Sequence, residues 1–317
     1  MKVVIPGGTG QVGAILAHAF HRRGDEVVVL SRRPAKADWR VEQWDAEGLG
    51  PWIDELEGAD ILINLTGRSV NCRYNPDNRR EIKESRVKST RILGEAMAQL
   101  SCPPRVWLQA STATIYAHRY EAPNDEDTGM IGGAEPNAPD AWRFSIDVAT
   151  LWEQAFNESA TPETRKVLLR SAMIMSPDRG GVFDTLLRLV RSGLGGRSGD
   201  GRQYVSWIHD QDFINAIFWL IEHEEFEGPV NLASPNPVPN AEFIRALRRA
   251  WGIRFGLPAT AWMLELGAFI LRSETELILK SRRVVPGRLL ESGFAFQFST
   301  WEEAAVDLCK RWKEERG

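Results

Sequence analysis

The stretch VVIPGGTGQVGAILAHAF at Val3–Phe20 constrains the fold more than any other part of the chain. A β-branched run leads into a glycine-rich turn, and the apolar spacing that follows suits a helix. Gly7, Gly10 and Gly13 stand as GxxGxxG, and Gly8, Gly10 and Gly13 also satisfy GxGxxG. Glycine clusters are common, but here one follows a strand, opens a helix and sits in a unit of βαβ size, the context a phosphate-binding turn requires. Glycine permits the tight turn and lets a pyrophosphate approach the backbone, while the first N–H groups of the helix point at the anion. The candidate contacts are Gly7, Thr9, Gly10, Gln11, Val12 and Gly13. A purely structural strand-to-helix turn would use the same glycines.

The rest of the first half repeats this alternation. Strands are expected at Lys2–Ile5, Glu26–Leu30, Ile61–Leu65, Arg105–Ala110 and Lys166–Met175. Helices are expected at Gln11–Arg23, Gly50–Glu57, Asp77–Leu100 and Val148–Glu158, with Asn75 capping the third and Pro76 at its first position. Alternating elements of this kind predict an α/β fold, a Rossmann-type doubly wound parallel sheet covered on both faces. The charged run RREIKESRVK reads first as a solvated helix face. Beyond Pro177 the texture changes to a glycine-rich loop, GLGGRSGDGRQ, then an extended piece and a helix from about Asp212 to Glu224. The turn cluster ASPNPVPN ends in an expected cap at Asn240. The division predicted is a nucleotide-binding domain at 1–175, with 205–228 returning to it, and a smaller, mainly helical domain from 176–204 and 229–317.

The 317 residues suffice for such a two-part core, and a net charge of −4 argues against nucleic acid or an anionic membrane as partner. Cys72, Cys102 and Cys309 are isolated, with no metal-ligand spacing, as in a reducing compartment. No metal site is expected. A strand that begins within two residues of Met1 leaves no room for a targeting segment, and the apolar run Leu257–Leu271 carries Glu265 and is too short to span a bilayer. A cytoplasmic location is the expectation, or a matrix-like space if a leader has been trimmed.

The second strand selects the nucleotide. Where an NAD site places Asp or Glu, roughly 20 residues after the turn, this chain reads VVVLSRRP. Ser31, Arg32 and Arg33 stand there without a carboxylate. A guanidinium can pair a ribose 2′-phosphate through two bonds and stack on adenine. NADP(H) is therefore the expected cofactor, against the alternative of a solvated basic loop.

With these features in place the chain resembles the extended short-chain dehydrogenase/reductases. Within them it is most similar to an atypical epimerase-family group that carries a C-terminal domain of unknown function. The resemblance rests on GGTGQVG, LSRRP, NLTG, IKESRVKSTRIL, LRSAMIM, SGDGRQYVSWIHDQD, GPVNLASPNPVPNAEF and SRRVVPGRLLESGFAFQF, which run along nearly the whole chain. It implies that Ser31 and Arg32 face the adenosine phosphate and that Leu65, Thr66 and Gly67 border the ribose and pyrophosphate. It places Glu81, Arg86 and Met175 near the nicotinamide, with plain core packing as the alternative for Leu65 and Met175. By analogy with extended relatives, a homodimer would pair the helices at Asp77–Leu100 and Val148–Glu158.

The superfamily's acid–base chemistry does not map. There a Tyr transfers the proton, a Lys four residues on lowers its pKa, and a Ser or Thr orients the carbonyl. None of the four tyrosines here is followed by Lys at that spacing, and Phe144 and Val148 occupy the expected places. The hydroxyl survives as Thr112. Tyr116 matches a second tyrosine near the substrate of extended enzymes and is the candidate donor, with a half-buried packing role as its alternative. His209 suits packing and Asp212 a helix cap, against a general-acid reading. Two functions follow: an NADP(H)-dependent oxidoreductase or epimerase acting on a small carbonyl or hydroxyl compound, or an NADPH-binding sensor with little turnover.

Overall fold

The computed structural model describes residues 1–260 and 276–316. Its strands are β1 (Lys2–Pro6), β2 (Glu26–Ser31), β3 (Arg40–Gln43), β4 (Ile61–Asn64), β5 (Val106–Thr112), β6 (Arg165–Ser171), β7 (Met173–Met175), β8 (Tyr204–Val205), β9 (Trp207–His209), β10 (Gly228–Leu232) and β11 (Val238–Pro239). The longer helices are α1 (Gln11–Arg23), α2 (Pro76–Met97), α3 (Asp140–Asn157), α4 (Val182–Arg191), α5 (Asp210–Glu222), α6 (Asn240–Trp251) and α7 (Trp301–Glu314).

Seven strands form one sheet in the order β10-β6-β5-β4-β1-β2-β3, and every pairing in it is parallel. Alternation along β1 sorts its side chains. Val3 and Ile5 join Leu16, Phe20 and Ile217 on the face covered by α1 and α5. Val4 joins Leu93, Trp107 and Phe156 on the face covered by α2 and α3. The chain leaves β1 toward β2 and β3, then crosses to β4 and the other half of the sheet. That reversal beside β1 opens a crevice at the carboxyl ends of β1 and β4, where doubly wound folds take ligands.

A separate core holds Met175, Phe183, Leu187, Trp207, Phe243 and Trp301 together. It draws on both parts of the expected division: Phe183, Leu187, Phe243 and Trp301 come from 176–204 and 229–317, but Met175 and Trp207 come from 1–175 and 205–228. The returning segment runs on to Leu232, because β10 pairs with β6 from Gly228↔Val167 to Leu232↔Ser171. The single strand expected at Lys166–Met175 also divides: Met173–Met175 leaves the sheet and pairs with Trp207–His209. The helix expected at Gly50–Glu57 is a 3₁₀ turn at Pro51–Glu55, and α3 starts at Asp140 rather than Val148. The edge strand β3 was not expected from the sequence. Asn75 does cap α2, its side chain accepting the Asn78 N–H at 2.8 Å. The apolar run at Leu257–Leu271 lies outside the described residues beyond position 260. Among the described residues no helix is long and apolar enough to cross a membrane.

Candidate functional site

The glycine turn is held at the crevice by both neighbouring strands. Gly7 N–H donates to Leu30 O at 2.9 Å, and Leu65 N–H donates to Pro6 O at 2.9 Å. The glycines do different work. At Gly7, with φ +77°, a Cβ would stand 2.9 Å from the Leu65 carbonyl and the Thr66 nitrogen; at Gly13 it would stand 2.4 Å from Gly8 Cα. These two permit close backbone packing. Gly10 differs, since a Cβ there would meet only Gly7 O, at 3.4 Å. Gly10 is exposed, caps α1 without a side-chain bond, and no acidic residue occupies the first turn of α1. The helix therefore presents bare N–H groups to the crevice.

Other residues complete a cradle. Asn64 Oδ1 accepts the Thr66 N–H at 3.0 Å, which shapes the NLTG turn. That leaves the buried Thr66 Oγ1 with no hydrogen-bond partner, a cost of about 1–3 kcal/mol unless a ligand satisfies it. Thr9 Oγ1 lies 3.3 Å from Ser31 Oγ, so the phosphate turn and the end of β2 meet. Arg32 is exposed beside them and forms no ion pair with the described residues. The Gln11 side chain lies against Gly181, and Val12 packs on the main core. Bare helix N–H groups, an orphaned hydroxyl and a Cβ-free opening fit a dinucleotide.

Farther along, a cavity of about 210 Å³ lies among β5, α2 and α3, and Thr112, Phe144, Val148, Arg86 and Trp152 line it. Arg86 Nη1 donates to Ile82 O at 2.9 Å, and its guanidinium lies 5.0 Å from the Trp152 ring centroid. Burial pushes its pKa down to about 10, and no carboxylate among the described residues pairs with it. Gly67 makes room for it, since a Cβ there would come within 3.1 Å of Arg86 Cζ. Glu81 does not turn inward. It is exposed and pairs with Arg68, whose other nitrogen donates to Asn78 Oδ1 at 2.7 Å.

The far wall of the cavity comes from residues the sequence reading passed over. Tyr74 lines it, as do Ser145 and the buried Glu276. Ser145 Oγ donates to Glu276 Oε2 at 2.6 Å, and Arg282 Nη2 donates to Glu276 Oε1 at 2.9 Å. The buried Lys280 ammonium donates to Thr114 O at 2.8 Å, and burial pushes its pKa down to about 8. Tyr74 was set aside because Asn78, not Lys, stands four residues on. A findable signal was its position directly before the Asn75–Pro76 helix start, where the chain re-enters from the sheet's carboxyl edge.

Several expected residues take other roles. Thr112 does border the cavity, and its Oγ1 accepts the Thr114 N–H at 3.1 Å. Tyr116 lies outside the cavity. Its buried hydroxyl donates to Asn231 Oδ1 at 2.9 Å and accepts from Arg170 Nη1 at 3.0 Å, while Arg170 is held in turn by Glu153. Burial raises its pKa. Met175 is fully buried in the second core, and Leu65 borders the turn through its backbone. The cap of α5 is His209, not Asp212. His209 Nδ1 accepts the Gln211 N–H at 3.1 Å, Nε2 faces Asp307 at 3.0 Å, and the ring stacks on Phe298. Asp212 is buried and accepts the N–H groups of Gln297 and Phe298, so it ties the C-terminal segment to α5. Asn240 likewise caps no helix. Its Oδ1 accepts the Ser198 N–H at 2.8 Å and pins the glycine-rich loop.

Known proteins resemble this chain along nearly its whole length. The model of the NAD dependent epimerase/dehydratase family matches residues 3–233, and a domain of unknown function, DUF1731, matches 259–308. The human epimerase family protein SDR39U1 is 29% identical over 301 residues, 94% of this chain and 96% of the human one. An epimerase family protein of Staphylococcus epidermidis is 30% identical over 313 residues, 98% of this chain and 99% of its own. The crystal structure of human SDR39U1 with NADPH superposes with a TM-score of 0.85 at 28% identity, covering 98% of this chain and 99% of that one. A glycine cradle at the β1–β4 reversal, in a chain matched along nearly its whole length, leads to one conclusion: the chain belongs to the NAD-dependent epimerase/dehydratase family.

Proposed function

We propose that this chain is an NADP(H)-dependent oxidoreductase of the extended short-chain type, acting on a small carbonyl or hydroxyl compound. The observation that carries the cofactor choice is Arg32, an exposed guanidinium without an ion-pair partner among the described residues, beside Ser31 at the end of β2. A free 2′-hydroxyl has no carboxylate to accept its hydrogen there, whereas a 2′-phosphate has a guanidinium to pair with. The human relative crystallised with NADPH supports the same choice. The phosphate turn, Ser31, Arg32, the Leu65–Gly67 turn and Arg86 would hold the nucleotide. Bound there, it supplies or accepts a hydride.

The chain's own contribution is orientation and proton handling. Thr112 Oγ1 already accepts the Thr114 N–H, so its own hydrogen is available to a carbonyl oxygen in the cavity. Val70, Ile82 and Val148 give that side of the cavity an apolar lining. A second reading, an NADPH-binding sensor with little turnover, is favoured by Phe144 and Val148 standing where the acid and its lysine would be. Calorimetry with NADPH and NADH tests the cofactor, with NADPH expected to bind at least tenfold more tightly; equal affinities refute it. Native mass spectrometry of the purified protein, with NADPH oxidation over an aldehyde and ketone panel, separates enzyme from sensor.

A further inference from the structure

We propose that the proton donor of this cavity is the Tyr74 phenol, brought to the place that Phe144 leaves without a hydroxyl. The inference rests on the oxidoreductase reading above. Tyr74 and Phe144 both line the cavity that Thr112 borders, and their rings meet edge to face with centroids 5.0 Å apart. The residue following Phe144 completes the arrangement, because Ser145 Oγ lies 3.5 Å from the Tyr74 hydroxyl and 2.6 Å from Glu276 Oε2. A phenol thus arrives from the loop before α2, opposite the helix on which the family's acid ordinarily sits. Tyr116 is no competitor, since Asn231 and Arg170 engage its hydroxyl away from the cavity.

The surroundings keep Tyr74 in its proton-bearing form. Burial, and then the Glu276 carboxylate, push its pKa up to about 12, against the opposing pull of Ser145 and Arg282. Ser145 Oγ lies closer to Glu276 Oε2 than to the phenol oxygen. In a reduction the carbonyl carbon takes a hydride from the reduced nicotinamide, carrying both electrons. The carbonyl oxygen takes the Tyr74 proton as the phenolic O–H bond breaks. Water in the open cleft returns that proton to the phenolate. Oxidation of an alcohol runs the same transfers backward. A phenol with a raised pKa is a weak acid at neutral pH, so turnover is slow.

The test uses the full chain labelled with ¹³C at the Cζ of its four tyrosines, the Tyr74 and Tyr116 resonances being assigned with Tyr74→Phe and Tyr116→Phe. Phenylalanine keeps the ring packing on Phe144, so the variant should fold and bind NADPH within twofold of the parent. Benzaldehyde added at millimolar concentration to the NADP⁺-loaded protein should shift the Tyr74 resonance and leave that of Tyr116 in place. Tyr74→Phe should reduce NADPH-dependent benzaldehyde reduction by about 10²-fold, the low end of general-acid help, because the raised pKa matches the donor poorly to neutral pH. An unmoved Tyr74 resonance, or parental turnover by Tyr74→Phe, overturns the proposal while NADPH binding still stands. Failure of the parent to bind NADPH would instead remove the oxidoreductase reading beneath it.

Discussion

Replacing Gly10 and Gly13 in turn separates binding from folding within one loop. A Cβ on Gly10 enters open space, with only Gly7 O at 3.4 Å, and its φ of −74° suits any residue. Gly10→Val should therefore change stability by no more than about 1 kcal/mol, a lost glycine cap set against reduced chain entropy in the unfolded state. The isopropyl group would nevertheless stand over the bare N–H groups of α1. Losing two charge-assisted bonds of about 1.5–3 kcal/mol each weakens NADPH binding by roughly 10²–10⁴-fold. Gly13→Ala behaves in the opposite way. Its Cβ would lie 2.4 Å from Gly8 Cα, at least 1 Å inside ordinary contact, so α1 must lift from the turn. The gain of about 1 kcal/mol in helix propensity does not offset such overlap. A net loss of about 1–3 kcal/mol should lower Tm by roughly 1.5–4.5 °C in a chain of this length. Calorimetric titration with NADPH and thermal scans of both apo variants measure the two effects. Normal NADPH affinity in Gly10→Val, or parental stability in Gly13→Ala, would refute the division of labour.

Arg32→Ala should cost NADPH about 1.5–3 kcal/mol and leave NADH nearly unchanged, as read by paired titrations; an equal loss for both would mean Arg32 acts elsewhere. Tyr116→Phe strands Arg170 Nη1 and Asn231 Oδ1 in the interior, so urea unfolding should show a loss of about 1–3 kcal/mol with NADPH binding intact. Asp184 links α4 to the C-terminus by accepting from the Gly180 N–H, Trp312 Nε1 and Arg316. Burial raises its pKa, but these bonds and Arg188 outweigh it, so the folded value lies below that of an ordinary aspartate. Its contribution is present above the unfolded pKa and is lost as pH falls through the folded one. Asp184→Asn should consequently lower the urea midpoint more at neutral pH than at about pH 3, and an equal drop at both would count against the ionised carboxylate.

What the sequence determined by itself was local. The strand, turn and helix at Val3–Phe20, the Asn75 cap of α2 and the missing carboxylate after β2 are each decided by a few adjacent residues. Backbone geometry, capping bonds and side-chain charge act at that range, so they can be read without knowing where the chain goes next. The tertiary structure decided what depends on distant partners. Met175 left the sheet because Trp207–His209 offered a pairing and a second core closed around it. Tyr116 lost its candidacy to Asn231, 115 residues away. The wall of the cavity was assembled from Tyr74, Ser145 and Glu276, the last two separated by 131 residues. Spacing along the chain carries no record of such meetings. They follow from which buried polar groups find partners once both faces of the sheet are covered, and that accounting closes only in three dimensions.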